Sequence, residues 1–251
     1  MYKYYLFDLD RTLWSFDKNS KRTLFRLIDK YGLAEKFGVT DKELFFRKYE
    51  EINHALWAKY EAGEITKEEL RYARFFIIFE DYLKEQEDPG HIAPAGLSEF
   101  AKEFGEAYLN EMTFETGLEP GAREVLARIK EKGGKIAIVT NGFKEVQYRK
   151  LKNSDILRYI DAVIISEEAG AHKPSPVIFR KALEAICPAE EYGNNRAGVK
   201  KQTLMVGDDF TNDIEGAQVF GIPQFYYNPY HKPCEGGPTY ESDSLSDVLK
   251  L

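Results

Sequence analysis

The chain has 251 residues, roughly one and a half to two domains' worth, and its 43% hydrophobic and 31% charged side chains are the balance of a globular protein rather than a disordered one. Its 42 acidic against 35 basic residues, a formal charge of -7, argue against a concentrated basic face for a nucleic-acid backbone. Two cysteines, Cys187 and Cys234, are too few for a disulfide scaffold or a four-cysteine zinc site. No apolar run approaches the ~20 residues of a membrane span. The first residues, Met1 to Asp8, meet acid before a signal-peptide core can form, so a cytoplasmic location is expected.

Tyr4 to Phe7 is an aromatic and aliphatic run halted by acid, as in a buried strand. From Ser20 the period lengthens: Leu24, Leu27, Ile28 and Tyr31 share one helical face, and Gly32 can close that helix. Thr40 with Glu43 predicts a capping box that opens a second helix, striped by Phe45, Tyr49, Ile52 and Leu56. Thr66 with Glu69 repeats the pattern ahead of Leu70, Ala73 and Ile77, and Leu97, Phe100, Phe104 and Tyr108 mark a fourth stripe. Tyr49, Trp57, Phe76 and Tyr108 suit the packed interior of a helical bundle better than a base-binding platform.

After Pro120, Val125, Leu126 and Ile129 mark a helix, Gly133-Gly134 a break, and Ile136 to Thr140 a strand. A polar helix follows, then a strand at Ala162 to Ile165, then a helix with Ser175 as N-cap and Pro176 in its first turn. Asn194 to Lys201 reads as a polar loop. Thr203 to Val206 is a strand, and Phe225 to Tyr227 reads as the last one. Strands alternating with helices imply parallel βαβ units. The expected fold is therefore α/β, a doubly wound, Rossmann-like parallel sheet over residues 1–15 and 116–251, with an α-helical domain inserted over 16–115.

Ligands of an open parallel sheet bind beyond the carboxyl ends of its strands. The first strand runs into Asp8-Leu9-Asp10-Arg11-Thr12, and the strand at 136 into Thr140-Asn141-Gly142. The strand at 162 leads on to His172-Lys173-Pro174, and the strand at 203 into Gly207-Asp208-Asp209, with Asp213 beyond. Carboxylates so crowded repel one another, and a divalent cation is the natural means of keeping them ionised. Magnesium, which takes a few carboxylate oxygens plus water and phosphate, suits this inventory better than zinc. An aspartate beside such a metal can attack phosphorus, and a second carboxyl can protonate the departing alkoxide and then activate water. Thr140 and Lys173 can stabilise the phosphoryl oxygens. Each segment also has an ordinary reading by itself, as a helix cap, a common turn or a surface lysine. Their joint occurrence, in order, on four strand ends favours a single phosphate site.

These segments resemble, in order and spacing and over nearly the whole chain, the four motifs of the haloacid dehalogenase (HAD) superfamily, and the helical insertion is similar to that superfamily's cap. The stretch from Phe7 to Trp14, with Phe16-Asp17 and Asn19-Ser20, further resembles a branch of bacterial pyrimidine 5'-nucleotidases active on non-standard nucleotides. The resemblance implies Asp8 as nucleophile and magnesium ligand, and Asp10 as general acid and base with its backbone carbonyl on the metal. It implies Asp208 as the third metal contact, supported by Asp209 and Asp213. Thr140, Asn141 and Lys173 are then phosphate binders, and Thr12 braces the loop. Two positions depart from the commonest pattern: Arg11, where many relatives have glycine, and Asp209, where many have a smaller polar residue.

Trp14 and Phe16 can stack on a nucleobase or pack at a hinge. His172 fits a surface role, and His54, His91 and His231 lack metal-ligand spacing. The expected activity is magnesium-dependent phosphomonoester hydrolysis through an aspartyl phosphate, acting on nucleoside 5'-monophosphates. Alternatives are a sugar phosphate or other small phosphometabolite as substrate, or a phosphomutase. Asp10 argues against a dehalogenase, because departing halide needs no proton donor. A response-regulator-like domain is disfavoured by the length and the helical insertion, and a catalytically silent binding protein by the intact acids. The expected partner is a small phosphorylated metabolite, not a nucleic-acid polymer or a membrane, and the protein is expected as a monomer or homodimer.

Overall fold

The computed structural model describes residues 2–85, 94–234 and 236–251. The chain divides into two compact units, Met1–Asp17 with Thr116–Leu251, and Lys18–Glu115. In chain order, β1 (Tyr4–Phe7) is followed by α1 (Phe16–Lys30), α2 (Leu33–Phe37), α3 (Lys42–Glu61), α4 (Lys67–Lys84) and α5 (Pro94–Met112). Then come α6 (Ala122–Glu131), β2 (Lys135–Thr140), α7 (Lys144–Asn153), β3 (Ala162–Ile165), α8 (Ser166–Ala169), α9 (Pro176–Ile186), α10 (Ala189–Asn194) and α11 (Arg196–Lys201). The chain closes with β4 (Thr203–Gly207), α12 (Gly216–Phe220), β5 (Gln224–Tyr227) and β6 (Tyr240–Ser242).

The strands form one parallel sheet in the order β3-β2-β1-β4-β5-β6. From β1 the chain winds to one side through β2 and β3, and β4 then returns to the other side of β1. The winding direction therefore reverses between β1 and β4, the place where a doubly wound sheet opens a crevice at its carboxyl edge. Register aligns Phe7 with Val206, and the Asp8 N–H extends the ladder by donating to the Val206 carbonyl at 2.9 Å. Asp8 and Asp208 thus leave the sheet from adjacent strands. Every residue of β1, β4 and β5 is buried, which is why these strands read as continuous runs rather than alternating ones. On one face, Leu6, Val139 and Met205 pack against Ile178, Phe179 and Leu183 of α9.

Two expectations fail in this unit. β6 lies beyond the strand read as last, because Tyr-Glu-Ser is too short and polar to show a pattern. Most of the stretch read as a loop from Asn194 is α11. The Asn195 side chain caps it, accepting from the Gly198 N–H at 3.0 Å, but Val199 is its one buried residue, so no stripe reaches the sequence. Ser175 does cap α9, with Pro176 at its start.

The helical unit has an aromatic interior. Phe37 stacks on Phe79 with centroids 4.5 Å apart, and Phe75 meets Phe104 edge-on at 4.9 Å. Tyr49 and Tyr108 are fully buried, whereas Trp57 and Phe76 are half-buried. Helix α1 starts at Phe16, ahead of Ser20, and the short α2 adds a fifth helix to the four stripes. The buried side of α4 is Leu70, Arg74, Phe75, Ile78, Phe79 and Tyr82 rather than Leu70, Ala73 and Ile77. Its nearly unbroken apolar run permits either face, and the larger rings bury more area. No described helix is long and apolar enough to cross a membrane.

The capping box at Thr66 forms, with Glu69 N–H donating to Thr66 Oγ1 at 3.2 Å and Thr66 N–H donating to Glu69 Oε2 at 2.7 Å. At α3 the cap is Asp41 and not Thr40: Asp41 Oδ1 accepts from the Leu44 N–H at 3.0 Å. We predict that Asp41→Ala costs about 1 kcal/mol of stability and Thr40→Ala a few tenths at most, as read by denaturant unfolding. Equal losses would contradict this cap.

Candidate active site

Asp8, Asp208 and Asp213 each present an oxygen, and these atoms lie within 4.8 Å of one another. The Lys173 ammonium is buried among them, donating to Asp8 Oδ1 at 2.5 Å and to Asp213 Oδ1 at 2.6 Å. The other Asp213 oxygen accepts from the Asp209 N–H at 3.1 Å, so each Asp213 oxygen meets a protein donor. Asp208 accepts from the Thr12 hydroxyl at 3.3 Å. Asp209 itself is exposed and caps the helical turn Phe210–Glu215, with Oδ1 accepting from the Asn212 N–H at 2.8 Å. Of the two consecutive acids, one thus caps and the other faces Asp8's strand end. A Cβ on Gly207 would collide with the Asp213 carboxylate, so glycine makes room for that side chain.

Burial and the charge of Asp8 push the Asp208 carboxyl up to about 7, against the pull of Arg11 and Lys232. Burial pushes Asp8 up as well, opposed by Lys173. Burial alone would lower Lys173, but Asp213 and Asp8 outweigh it and keep the ammonium protonated. Three crowded carboxyl groups thus share one ammonium, and burial and mutual repulsion disfavour their full ionisation. Asp8 and Asp208, with Asp213 beside them, offer all-oxygen donors of the kind that hard divalent cations prefer, so these residues fit such an ion.

The strand end of β2 supplies the facing groups. Thr140 Oγ1 accepts from Gln147 Nε2 at 2.8 Å and from the Gly142 N–H at 3.1 Å. Both lone pairs are thereby taken, and the hydroxyl is left to act as a donor. Asn141 braces the lysine. Its side-chain amide binds the Lys173 backbone twice, Oδ1 accepting from the Lys173 N–H at 2.8 Å and Nδ2 donating to the Lys173 carbonyl at 3.1 Å. Through that amide it fixes the Lys173 backbone. Asp10 is held by two residues of α7 that sequence reasoning missed. Lys150 Nζ donates to its Oδ1 at 2.7 Å and Oδ2 at 2.9 Å, and Gln147 Nε2 donates to Oδ2 at 2.9 Å. Their i, i+3 spacing puts both on one face of a helix that otherwise reads as solvated. A Cβ on Gly142 would strike the Gln147 amide.

Trp14 has no exposed surface, and the Lys150 ammonium lies 4.4 Å from its ring centroid, so this ring is packed rather than open to a base. Phe16 is half-buried, with the Arg11 guanidinium 4.7 Å from its ring. Arg11 has φ 64°, the left-handed conformation in which glycine is at ease, and its Nε donates to Asp17 Oδ1 at 2.7 Å. His172 is half-buried, not a surface residue, His54 and His231 are exposed, and His91 lies outside the described residues. Cys187 and Cys234 are free thiols.

The model of the haloacid dehalogenase-like hydrolases matches residues 2–221. The chain belongs to that family. It is 31% identical to the pyrimidine 5'-nucleotidase PynA of Streptococcus pneumoniae, over 99% of this chain and 94% of that one. It is 32% identical to the pyrimidine 5'-nucleotidase YjjG of Escherichia coli, over 98% and 95%. A glyceraldehyde 3-phosphate phosphatase of Pyrococcus abyssi is 31% identical, over 100% and 94%. Among solved structures, the magnesium-bound HAD-hydrolase YfnB of Bacillus subtilis superposes with a TM-score of 0.78 at 25% identity, covering 100% of this chain and 99% of that one. As a HAD hydrolase the chain is an enzyme, with the motif residues gathered on its sheet edge.

The raised Asp208 carboxyl has a consequence for stability. Between its ordinary value near 3.8 and about 7, the folded protein retains a proton that the unfolded chain has released. Stability contributed by that proton is complete below about 4 and is lost as pH rises toward 7. In chelator, wild type is expected to melt progressively lower over that interval, and Asp208→Asn to show a flatter profile. Parallel profiles would remove the basis for a perturbed Asp208.

Proposed function

We propose that this HAD hydrolase is a phosphatase of small phosphomonoesters, with pyrimidine nucleoside 5'-monophosphates as its preferred substrates. The observation that carries this reading is the Lys173 ammonium bridging Asp8 and Asp213 beside Asp208. Such an arrangement brings together an anionic nucleophile, a donor for phosphoryl oxygen and a place for a divalent cation. The similarity to two pyrimidine 5'-nucleotidases over nearly the full chain supports the substrate class. The similarity to a glyceraldehyde 3-phosphate phosphatase keeps a small phosphorylated sugar as the second reading. On this reading residues 16–115 form the cap that confers specificity.

Asp8, Asp208 and the Asp10 carbonyl would hold magnesium, which would supply positive charge to offset the crowded carboxylates and the phosphoryl oxygens. An Asp8 carboxylate oxygen forms a bond to phosphorus while the ester P–O bond breaks, and the electron pair leaves with the alkoxide, which takes a proton from Asp10. Lys173 and the Thr140 hydroxyl donate to the transferring oxygens, whose charge spreads in the transition state. Asp10, now a carboxylate, takes a proton from water as the water oxygen attacks phosphorus. The bond to Asp8 breaks, its electron pair returns to the carboxylate, and inorganic phosphate departs.

Asp8→Asn is expected to lower phosphate release from p-nitrophenyl phosphate by more than about 1,000-fold while far-UV circular dichroism is unchanged. Near-wild-type turnover in that variant would eliminate Asp8 as nucleophile. On a panel of phosphate esters, kcat/KM is expected to rank pyrimidine 5'-monophosphates first. A profile confined to sugar phosphates would discard the nucleotidase assignment and favour the second reading.

A further inference from the structure

Among the described residues, the atoms hydrogen-bonded to the Asp10 carboxylate are all donors. An ammonium has three protons and no acceptor, and the Gln147 contact is made by its NH2 and not by its carbonyl. A carboxylate offers about four lone-pair sites. Three are engaged here: one on Oδ1 by Lys150, and two on Oδ2 by Lys150 and Gln147. The remaining site is on Oδ1, outside these three contacts.

The donors are themselves confined. Lys150 is 2% exposed, with its ammonium 4.4 Å from the Trp14 ring centroid and 5.3 Å from that of Phe16. The second proton of Gln147 Nε2 is given to Thr140 Oγ1 at 2.8 Å, so one amide spans the proton-carrying acid and the hydroxyl proposed to face phosphate. A buried ammonium is costly to desolvate, and a methionine would pack among these rings without that penalty. The lysine's charge is used on Asp10.

We propose that Lys150 and Gln147 are positioning residues that hold the Asp10 carboxylate as proton acceptor for the hydrolytic half of the reaction. This rests on the phosphatase reading above. In that half-reaction the acceptor takes one proton from the attacking water, an O–P bond forms from the water oxygen, and the bond from phosphorus to Asp8 breaks. The atoms that hold the carboxylate, Lys150 Nζ and Gln147 Nε2, are donors and do not take up the water proton themselves.

The test uses p-nitrophenyl phosphate, whose phenolate leaves without a proton, so that the first half-reaction proceeds even where Asp10 is misplaced. In rapid-mixing kinetics, Lys150→Met is expected to release about one equivalent of nitrophenolate in a burst and then turn over at least about tenfold more slowly than wild type. Its kcat/KM, which reports only the steps through the first transfer, should change less than about threefold. Intact-protein mass spectrometry of the quenched variant should find the phosphorylated form. Gln147→Met, which keeps the Lys150 charge, should show a smaller burst of the same kind, and it decides the matter if Lys150→Met does not fold. An unchanged steady rate, or kcat and kcat/KM falling together without a burst, overturns the proposal. If wild type itself shows no Asp8-dependent hydrolysis, the phosphatase reading has failed and the proposal falls with it.

Discussion

Two carboxylates on neighbouring strand ends repel each other, and this constraint organises the α/β unit. The parallel register between β1 and β4 sets Asp8 and Asp208 at adjacent exits from the sheet, where the reversal of winding leaves a crevice. Neither acid can move apart, because the Asp8 N–H is itself part of the ladder. The surroundings answer with positive charge: Lys173 lies between Asp8 and Asp213, and Asn141 fixes the lysine's backbone from the next strand over. Asp213 is bonded to the Lys173 ammonium and to the Asp209 N–H, and so helps to secure the ammonium.

The residues that lie directly on strand ends were readable, and for a physical reason. A buried parallel strand is a short apolar run, and the polar residues that interrupt it fall on the carboxyl edge by construction. Asp8, Thr140 and Asp208 stand out in this way. Lys150 and Gln147 do not. They sit in a helix whose other side chains are mostly polar, and without knowing which side faces Asp10 a lysine there looks solvated. The available signal is their i, i+3 spacing beside the buried Val146 and Leu151, which identifies the inward side of α7. Asn141 was legible as a strand-end residue but not as a brace, because its partner Lys173 is remote in the sequence and becomes a neighbour only through β2 and β3.

The helical unit shows the opposite limit. Its helices were readable from periodicity, but the inward face of α4 was not, because aromatic and aliphatic residues follow one another almost without interruption. Ring size decides such cases, and ring size enters only once neighbours such as Phe37 and Phe104 are in place. The cap of α3 fails for a simpler reason. Thr40 and Asp41 are both good caps, and the identity of the capping residue turns on which of them leaves the helical path.

Gly142 and Gly207 have no side-chain chemistry, yet each is the mould of a side chain that does: the amide of Gln147 lies where one Cβ would stand, and the carboxylate of Asp213 where the other would. Intolerance to change is therefore exported from the acids to two positions with no side-chain group to donate, accept or ionise. A survey of permitted substitutions along this chain would find these hollows guarded as closely as the groups that fill them.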